Sequence, residues 1–381
     1  MIDTMTRTHR TPHDPLHDAG QFFASLPGLL GFYPEDSVIF AAFEATATEG
    51  RYRLGPVLRM DVVNHDMMPH VLSSLNDHDF PTSMVMSFII SDREPDDITT
   101  VAMKILEVAV SQNIPLEGCW WAEHILQGEP YCLIIGPHES LPAPWVSGVI
   151  APVTQTASMR QLTDLGELPE INREDTFRHL ARNNRHISEL EAEHLASFAR
   201  RYAIELVDRI SDRLFFAPYV RGGQWDTVGG IVLDVGYLLS EIEEQDLSVE
   251  NIMENTEELI TTAIFLSATM LRDTIFEDLI ARPGPAARLM LAVARTFGGE
   301  VRANALCSYA LAYVHMGLNM RALPACALAV EEFPQHELSA LLWDYCRNGR
   351  NEELVTSVRQ SSRDLRLMHG IDDPGLSDAA A

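Results

Sequence analysis

From residue 20 to about 165 the apolar positions of this chain fall in short blocks separated by longer amphipathic stretches. After Ser37, the run Val38-Ile39-Phe40-Ala41-Ala42-Phe43 predicts a buried strand over 37–43, and residues 52–63 predict a second. A helix is expected over 66–76, then a strand over 83–90, a helix over 96–112, and two more strands near 119–122 and 131–135. Apolar runs interrupted by helices imply an α/β domain, a mixed sheet with helices packed on it. The order strand-strand-helix-strand-helix-strand-strand is not that of a doubly wound nucleotide fold, and no G-x-G-x-x-G follows any strand.

A stretch dotted with Pro and Gly, 137–169, marks the expected boundary between this α/β domain at 19–165 and an all-α domain at 170–365. Beyond it the period changes. Leu190, Leu195, Phe198, Tyr202, Leu206, Ile210 and Leu214 lie three to five residues apart and predict one long amphipathic helix. Residues 232–243, 256–281, 286–296 and 302–316 are also helical by pattern, while Gly222-Gly223 and Gly229-Gly230, flanking Gln224-Trp225-Asp226, read as a hinge. Within 303–336, Ala310, Tyr313, Gly317, Ala322, Ala329 and Pro334 follow the spacing of a tetratricopeptide repeat, whose period is about 34 residues. One period earlier, Arg288, Arg295 and Glu300 occupy the small and proline positions, so the pattern gives one tetratricopeptide-like helical hairpin and no stacked array. The polar residues 1–18 and the tail 366–381 are expected to be flexible.

Two stretches carry a family resemblance: Leu29-Leu30-Gly31-Phe32-Tyr33-Pro34-Glu35-Asp36-Ser37-Val38-Ile39-Phe40 and Val57-Leu58-Arg59-Met60-Asp61-Val62, supported by Leu271-Arg272-Asp273 and a helical hairpin ending near Pro334. Together they resemble the actinobacterial domain-of-unknown-function family 4192 over most of residues 20–350. The resemblance implies an architecture and no activity. It also implies, for many relatives, a cysteine cluster in the loop after Cys132; here that loop reads Gly136-Pro137-His138-Glu139-Ser140 and has none.

Composition narrows the function classes. The 381 residues are 46% hydrophobic, enough to build a substantial core and room for two domains at roughly 150 residues each. A net charge of −27 argues against general affinity for nucleic acids or anionic membranes. Lys104 is the single lysine among 28 basic residues and sits in a helical pattern, which disfavours P-loop NTPases, protein kinases and pyridoxal enzymes. Cys119, Cys132, Cys307, Cys326 and Cys346 are scattered with no C-x-x-C pair, as expected of reduced thiols in a cytoplasmic protein. Neither an 18-residue apolar run nor a hydrophobic leader core is present, so a soluble cytoplasmic protein is expected.

The candidate chemistry is sparse. Arg59 and Asp61 share one face of their strand by period two, Asp61 and Asp92 each follow an apolar strand, and Asp36 precedes one. If the two later strands ran side by side, Asp61 and Asp92 would meet at one sheet edge, where carboxylates hold Mg²⁺ or Mn²⁺ for phosphoryl chemistry; the competing reading is turns, caps and an Arg59–Asp61 pair. Asp175 and His179 stand at helix spacing, with Glu174 and His186 near in sequence, but such pairs are common on solvated helices. The arginines from Arg173 to Arg221 are nearly balanced by acids. Arg272 and Asp273 interrupt an apolar helix and read as an internal ion pair, or as an arginine facing an anionic ligand. No G-x-S-x-G occurs. The sequence thus favours a non-catalytic protein-interaction or regulatory protein with a protein partner and no predicted cofactor. The alternative is a metal-dependent hydrolase or phosphotransfer enzyme using Asp36, Asp61 and Asp92.

Overall fold

The structure, a computed structural model, describes residues 3–5, 16–75, 80–211 and 228–369. The chain divides into two units, Met1–Thr176 with Cys346–Gly349, and Phe177–Tyr345 with Arg350–Ala381.

The first unit is built on a mixed sheet. Its strands are β1 (Asp3–Met5), β2 (Ser37–Ala45), β3 (Tyr52–Asp61), β4 (Met84–Ile90), β5 (Leu116–Ala122), β6 (Pro130–Ile135) and β7 (Ser147–Val149), in the spatial order β1-β3-β2-β4-β5-β6-β7. The six strands from Ser37 to Val149 make the sheet proper, and the three residues of β1, within the leader expected to be flexible, pair antiparallel along β3. Only β4 and β5 run parallel, joined by the crossover helix α3 introduced below; the other pairs are antiparallel.

Both faces of the sheet are covered, which is why β2 is an unbroken apolar run. Ile39, Ala41 and Phe43 face a cluster with α1 (Ala19–Leu30), while Val38, Phe40 and Ala42 face α2 (Met68–Ser73) and α3 (Pro95–Ser111). Helix α1 begins at Asp18, whose carboxylate accepts the Gln21 N–H at 2.7 Å, and ends at Gly31 in the left-handed conformation, φ 78°. Phe22 and Phe23 of α1 meet Phe88 of β4 at centroid distances of 4.4 Å, stacked, and 5.1 Å, edge-on, and Phe88 stacks on Trp120 at 5.3 Å. The buried indole N–H of Trp120 donates to the Trp145 carbonyl at 2.6 Å, as a buried tryptophan requires.

Residues 137–169, expected as a boundary, are instead part of this unit. They form α4 (Ala143–Val146), β7 and α5 (Ala157–Asp164). Pro142 and Pro144 sit at the start of α4, where a missing N–H costs nothing. Ser158 Oγ of α5 donates to the Ser25 carbonyl of α1 at 2.9 Å.

The division between the units falls within α6 (Arg173–Leu180). The second unit is all helical: α7 (Glu189–Ser211), α8 (Val228–Glu244), α9 (Val249–Glu254), α10 (Thr256–Leu266), α11 (Thr269–Ala281), α12 (Pro283–Thr296), α13 (Gly299–His315), α14 (Asn319–Glu332), α15 (Glu337–Arg347) and α16 (Asn351–Met368). The single helix expected over 256–281 is two, bent by 116°. The break comes where Ser267 Oγ donates to the Ala263 carbonyl and Ala268 turns to extended backbone, so that α10 and α11 each bury a face. Gly229-Gly230 lies in the first turn of α8 rather than in a hinge, and Gly222-Gly223 lies outside the described residues.

Helix α13 is the centre of this unit. Every residue from Val301 to Val314 is buried, the mark of a helix surrounded by others. It pairs with α14 through the turn at Gly317, φ 74°, so residues 303–336 do contain a helical hairpin. Its all-round burial is the place of a bundle's central helix, and the tetratricopeptide likeness rests on residue spacing alone. No single helix among the described residues is long and apolar enough to cross a membrane.

Phe88 contacts three aromatic partners with no exposed surface, so Phe88→Ala should destabilise the protein by about 3–5 kcal/mol. Urea unfolding of the variant beside Val110→Ala, an exposed control expected to change by no more than about 0.5 kcal/mol, measures it.

Candidate functional site

The end of the sheet gathers three of the expected residues. Because β2 is antiparallel to both β3 and β4, its first residue, Ser37, lies opposite Asp61 on one side and Ile90 on the other. β3 and β4 therefore point the same way but are not neighbours: β2 stands between them. Asp36, Arg59 and Asp61 converge there, while Asp92 is solvent-exposed and acts on Arg93 through space.

Arg59 is buried. Its Nε donates to Ser37 Oγ at 3.0 Å, its Nη2 lies 2.5 Å from an Asp61 carboxylate oxygen, and its guanidinium sits 6.0 Å from the centre of the Phe32 ring. Asn64 Nδ2 donates to the other Asp61 oxygen at 3.2 Å. Asp36 adopts φ 42°, a left-handed conformation that aspartate tolerates better than most residues. Its carbonyl accepts the Val62 N–H at 2.8 Å, tying the start of β2 to the end of β3. Its carboxylate accepts Ser91 Oγ at 2.6 Å and Arg93 Nε and Nη2 at 3.2 and 3.4 Å. The Arg93 guanidinium, and then the Ser91 hydroxyl, hold the Asp36 carboxyl below the usual carboxylate range against the opposing effect of burial. Each aspartate that the fold brings to this end thus has its own arginine.

A second group escaped the sequence reading. Glu123 and His124 follow β5 and Glu129 precedes β6, and the antiparallel pairing of these strands returns the loop on itself. One ligand atom from each lies within 4.8 Å of the other two, so the three could hold a metal ion, although Glu123 and His124 are exposed and Glu129 half-buried, and exposed acidic groups gather without one. The signal available beforehand was a Glu-His pair and a Glu bracketing a strand-to-strand loop. The other pair weighed for metal has different partners: Asp175 is hydrogen-bonded to Asn172, and His179 faces Arg295. Cys119 is no nucleophile, because burial pushes its thiol up to about 12.

In the helical unit Arg272 is buried and internally bonded. Its Nε and Nη2 meet Asp273 Oδ1 at 2.7 and 2.6 Å, and its Nη1 donates to Asn304 Oδ1 of α13 at 2.7 Å. Burial pushes the Asp273 carboxyl up, with Arg272 opposing. Arg302, which the sequence reading did not single out, grips Glu332 of α14 at 2.6 and 2.8 Å and donates to the Leu180 carbonyl at 3.1 Å. Its signal was a lone arginine within a small-residue helix.

The model of the family described as Domain of unknown function (DUF4192) matches residues 20–353. No curated protein and no solved structure matches the chain.

Removing the Asp36 partner by Arg93→Met should return the Asp36 carboxyl toward its ordinary value, as followed by NMR titration. The sign for stability follows: a depressed carboxyl contributes stability above its unfolded value and loses it as pH falls through the folded one. The acid limb of the stability curve should therefore be shallower in the variant.

Proposed function

We propose that this chain, which belongs to the family Domain of unknown function (DUF4192), is a non-catalytic interaction or regulatory protein that binds another protein through its helical unit. The observation that carries this reading is the inverted packing of α7. Its buried face is mostly small, Ala192, Ala199, Ala203 and Leu206, while the larger Leu190, Phe198 and Ile204 are exposed. Phe198 and Tyr202, one turn apart, hold their rings 6.1 Å apart and nearly parallel. Single exposed apolar residues are ordinary; several bulky ones on one helix, with alanines inside, point to a surface covered by a partner. Aromatic side chains are the usual anchors of such contacts. The net charge of −27 favours a partner with a basic surface around that anchor.

The alternative, a metal-dependent hydrolase or phosphotransfer enzyme, draws support from Asp36 and Asp61 sharing one end of the sheet. It has less behind it, since both carboxylates engage arginines and Asp92 stands apart from them in hydrogen bonding. Calorimetric titration with Mn²⁺ separates the two: an affinity lost in Asp61→Asn would revive the enzyme.

The direct test is a tagged pull-down from the native cell at low and moderate salt. A stoichiometric protein should survive the salt step with the wild type and be lost with Leu190→Asp/Phe198→Asp. The melting temperature of that variant should stay close to wild type, because both side chains are on the surface. A partner retained by the folded variant, or no partner, sinks the reading.

A further inference from the structure

His336 stands at the joint between two helices and titrates in the physiological range when unperturbed. Its carbonyl accepts the Ala340 N–H at 3.2 Å, the first intrahelical bond of α15, and its Nδ1 accepts the Ser339 N–H at 3.3 Å, so His336 is the N-cap of α15. Ser339 Oγ lies 2.6 Å from the same nitrogen. On the other side of the ring, Nε2 lies 3.0 Å from Asn304 Oδ1 of α13. That oxygen also accepts from Arg272, and Asn304 Nδ2 donates to the Leu266 carbonyl at 2.8 Å, which sets the orientation of the amide. Asn304 Oδ1 is an acceptor only, so the imidazole proton belongs on Nε2 and Nδ1 is bare. A second proton, on Nδ1, would meet the Ser339 N–H head-on and remove the acceptor of the cap. The Ser339 hydroxyl, which donates to Nδ1 while that nitrogen is bare, would have to turn and accept the new proton, giving its own toward Cys307 Sγ, 3.3 Å away.

We propose that His336 is a proton-operated latch: neutral, it caps α15 and joins it to α13; protonated, it releases the first turn of α15.

The groups facing the ring agree on the direction. Burial first, and then Arg272 from α11, hold His336 below its ordinary value; Glu300 of α13 and Glu337 of α15 act the other way. Asp273 is bound to Arg272, and α10 joins the network through the Leu266 carbonyl on Asn304. The dipole of α15 further opposes a positive charge at its N-terminus. A histidine lowered in the folded state leaves the latch intact above about pH 6.5 and weakens it as pH falls below that value. The device is independent of whatever covers α7.

Hydrogen exchange of the full chain, corrected for the intrinsic pH dependence, tests it. Between pH 7.5 and 5.5 the first turn of α15 should open roughly fivefold more often, the effect of losing one helix cap. His336→Asn supplies a capping side chain that does not titrate, and in it the same segment should show no pH dependence. Unchanged wild-type exchange, or a variant that follows pH as the wild type does, overturns the latch. Should the variant not fold, the wild type alone decides by labelling of Cys307 with a dipyridyl disulfide, which reacts with thiols in acid. Faster labelling at pH 5.5 than at 7.5 supports the latch, and equal labelling overturns it.

Discussion

Buried backbone must find hydrogen-bond partners, and in the first unit that requirement is met through β2. It is paired along nearly its whole length on both edges, with β3 and with β4, and its two sets of alternating side chains enter the two apolar clusters. Slipping β2 by one residue would exchange those sets and bring Phe40 into the space of Ile39. The same register sets the polar end of the sheet. Ser37 opposite Asp61 puts its hydroxyl on Arg59, and Asp36 must turn through a left-handed conformation to enter the strand. Core packing and strand-end electrostatics are therefore consequences of one pairing.

In the helical unit arginine has a corresponding place. Arg272, Arg302, Arg321 and Arg366 are all buried there. Arg302 shows what the guanidinium supplies: two donors lie along one carboxylate while a third reaches the carbonyl of Leu180. Arg366 likewise reaches Asp278 of α11 from α16 at 2.7 Å. An ammonium presents no flat fork and is more strongly hydrated, so lysine could not replace these bridges. The interior thus gives arginine a physical reason to be there. Such buried pairs add little net stability against well-packed apolar residues, but losing one partner leaves a charge stranded, which couples α11, α13, α14 and α16.

Strand and helix positions were legible because period and apolar content report burial locally. Val38 to Phe43 read as a buried strand, and the spacing from Leu190 to Leu206 as an amphipathic helix. Which face of α7 would be covered was less legible, because the alanines that pack inward weigh little beside Leu190 and Phe198. Strand order was not legible, since the β2–β3 hairpin can add to the sheet by either strand. The expected meeting of Asp61 with Asp92 depended on that choice, and β2 took the position between. Nor could the Arg272–Asn304–His336 network be read from spacing, for its members lie 32 residues apart in each step and meet only through helix packing. Arg59 with Asp61 was readable because two residues in one strand share a face whatever the strand pairs with.

The chemistry available at the strand end turns on Arg59 more than on the aspartates. The Asp36–Arg93 pair is open to solvent on both sides and is worth no more than about 1 kcal/mol, too little to keep a cation away. Arg59 is another matter. It is buried, bonded to Ser37 and covered by Phe32. A divalent cation bound to Asp61 would stand within about 5 Å of that guanidinium, a repulsion on the order of 7 kcal/mol at an effective dielectric constant of about 20. A cation there would compete with Arg59 for the same Asp61 carboxylate. The ion pairs at this end close the sheet, and the exposed bulk of α7 is left as the feature that no contact among the described residues of its unit explains.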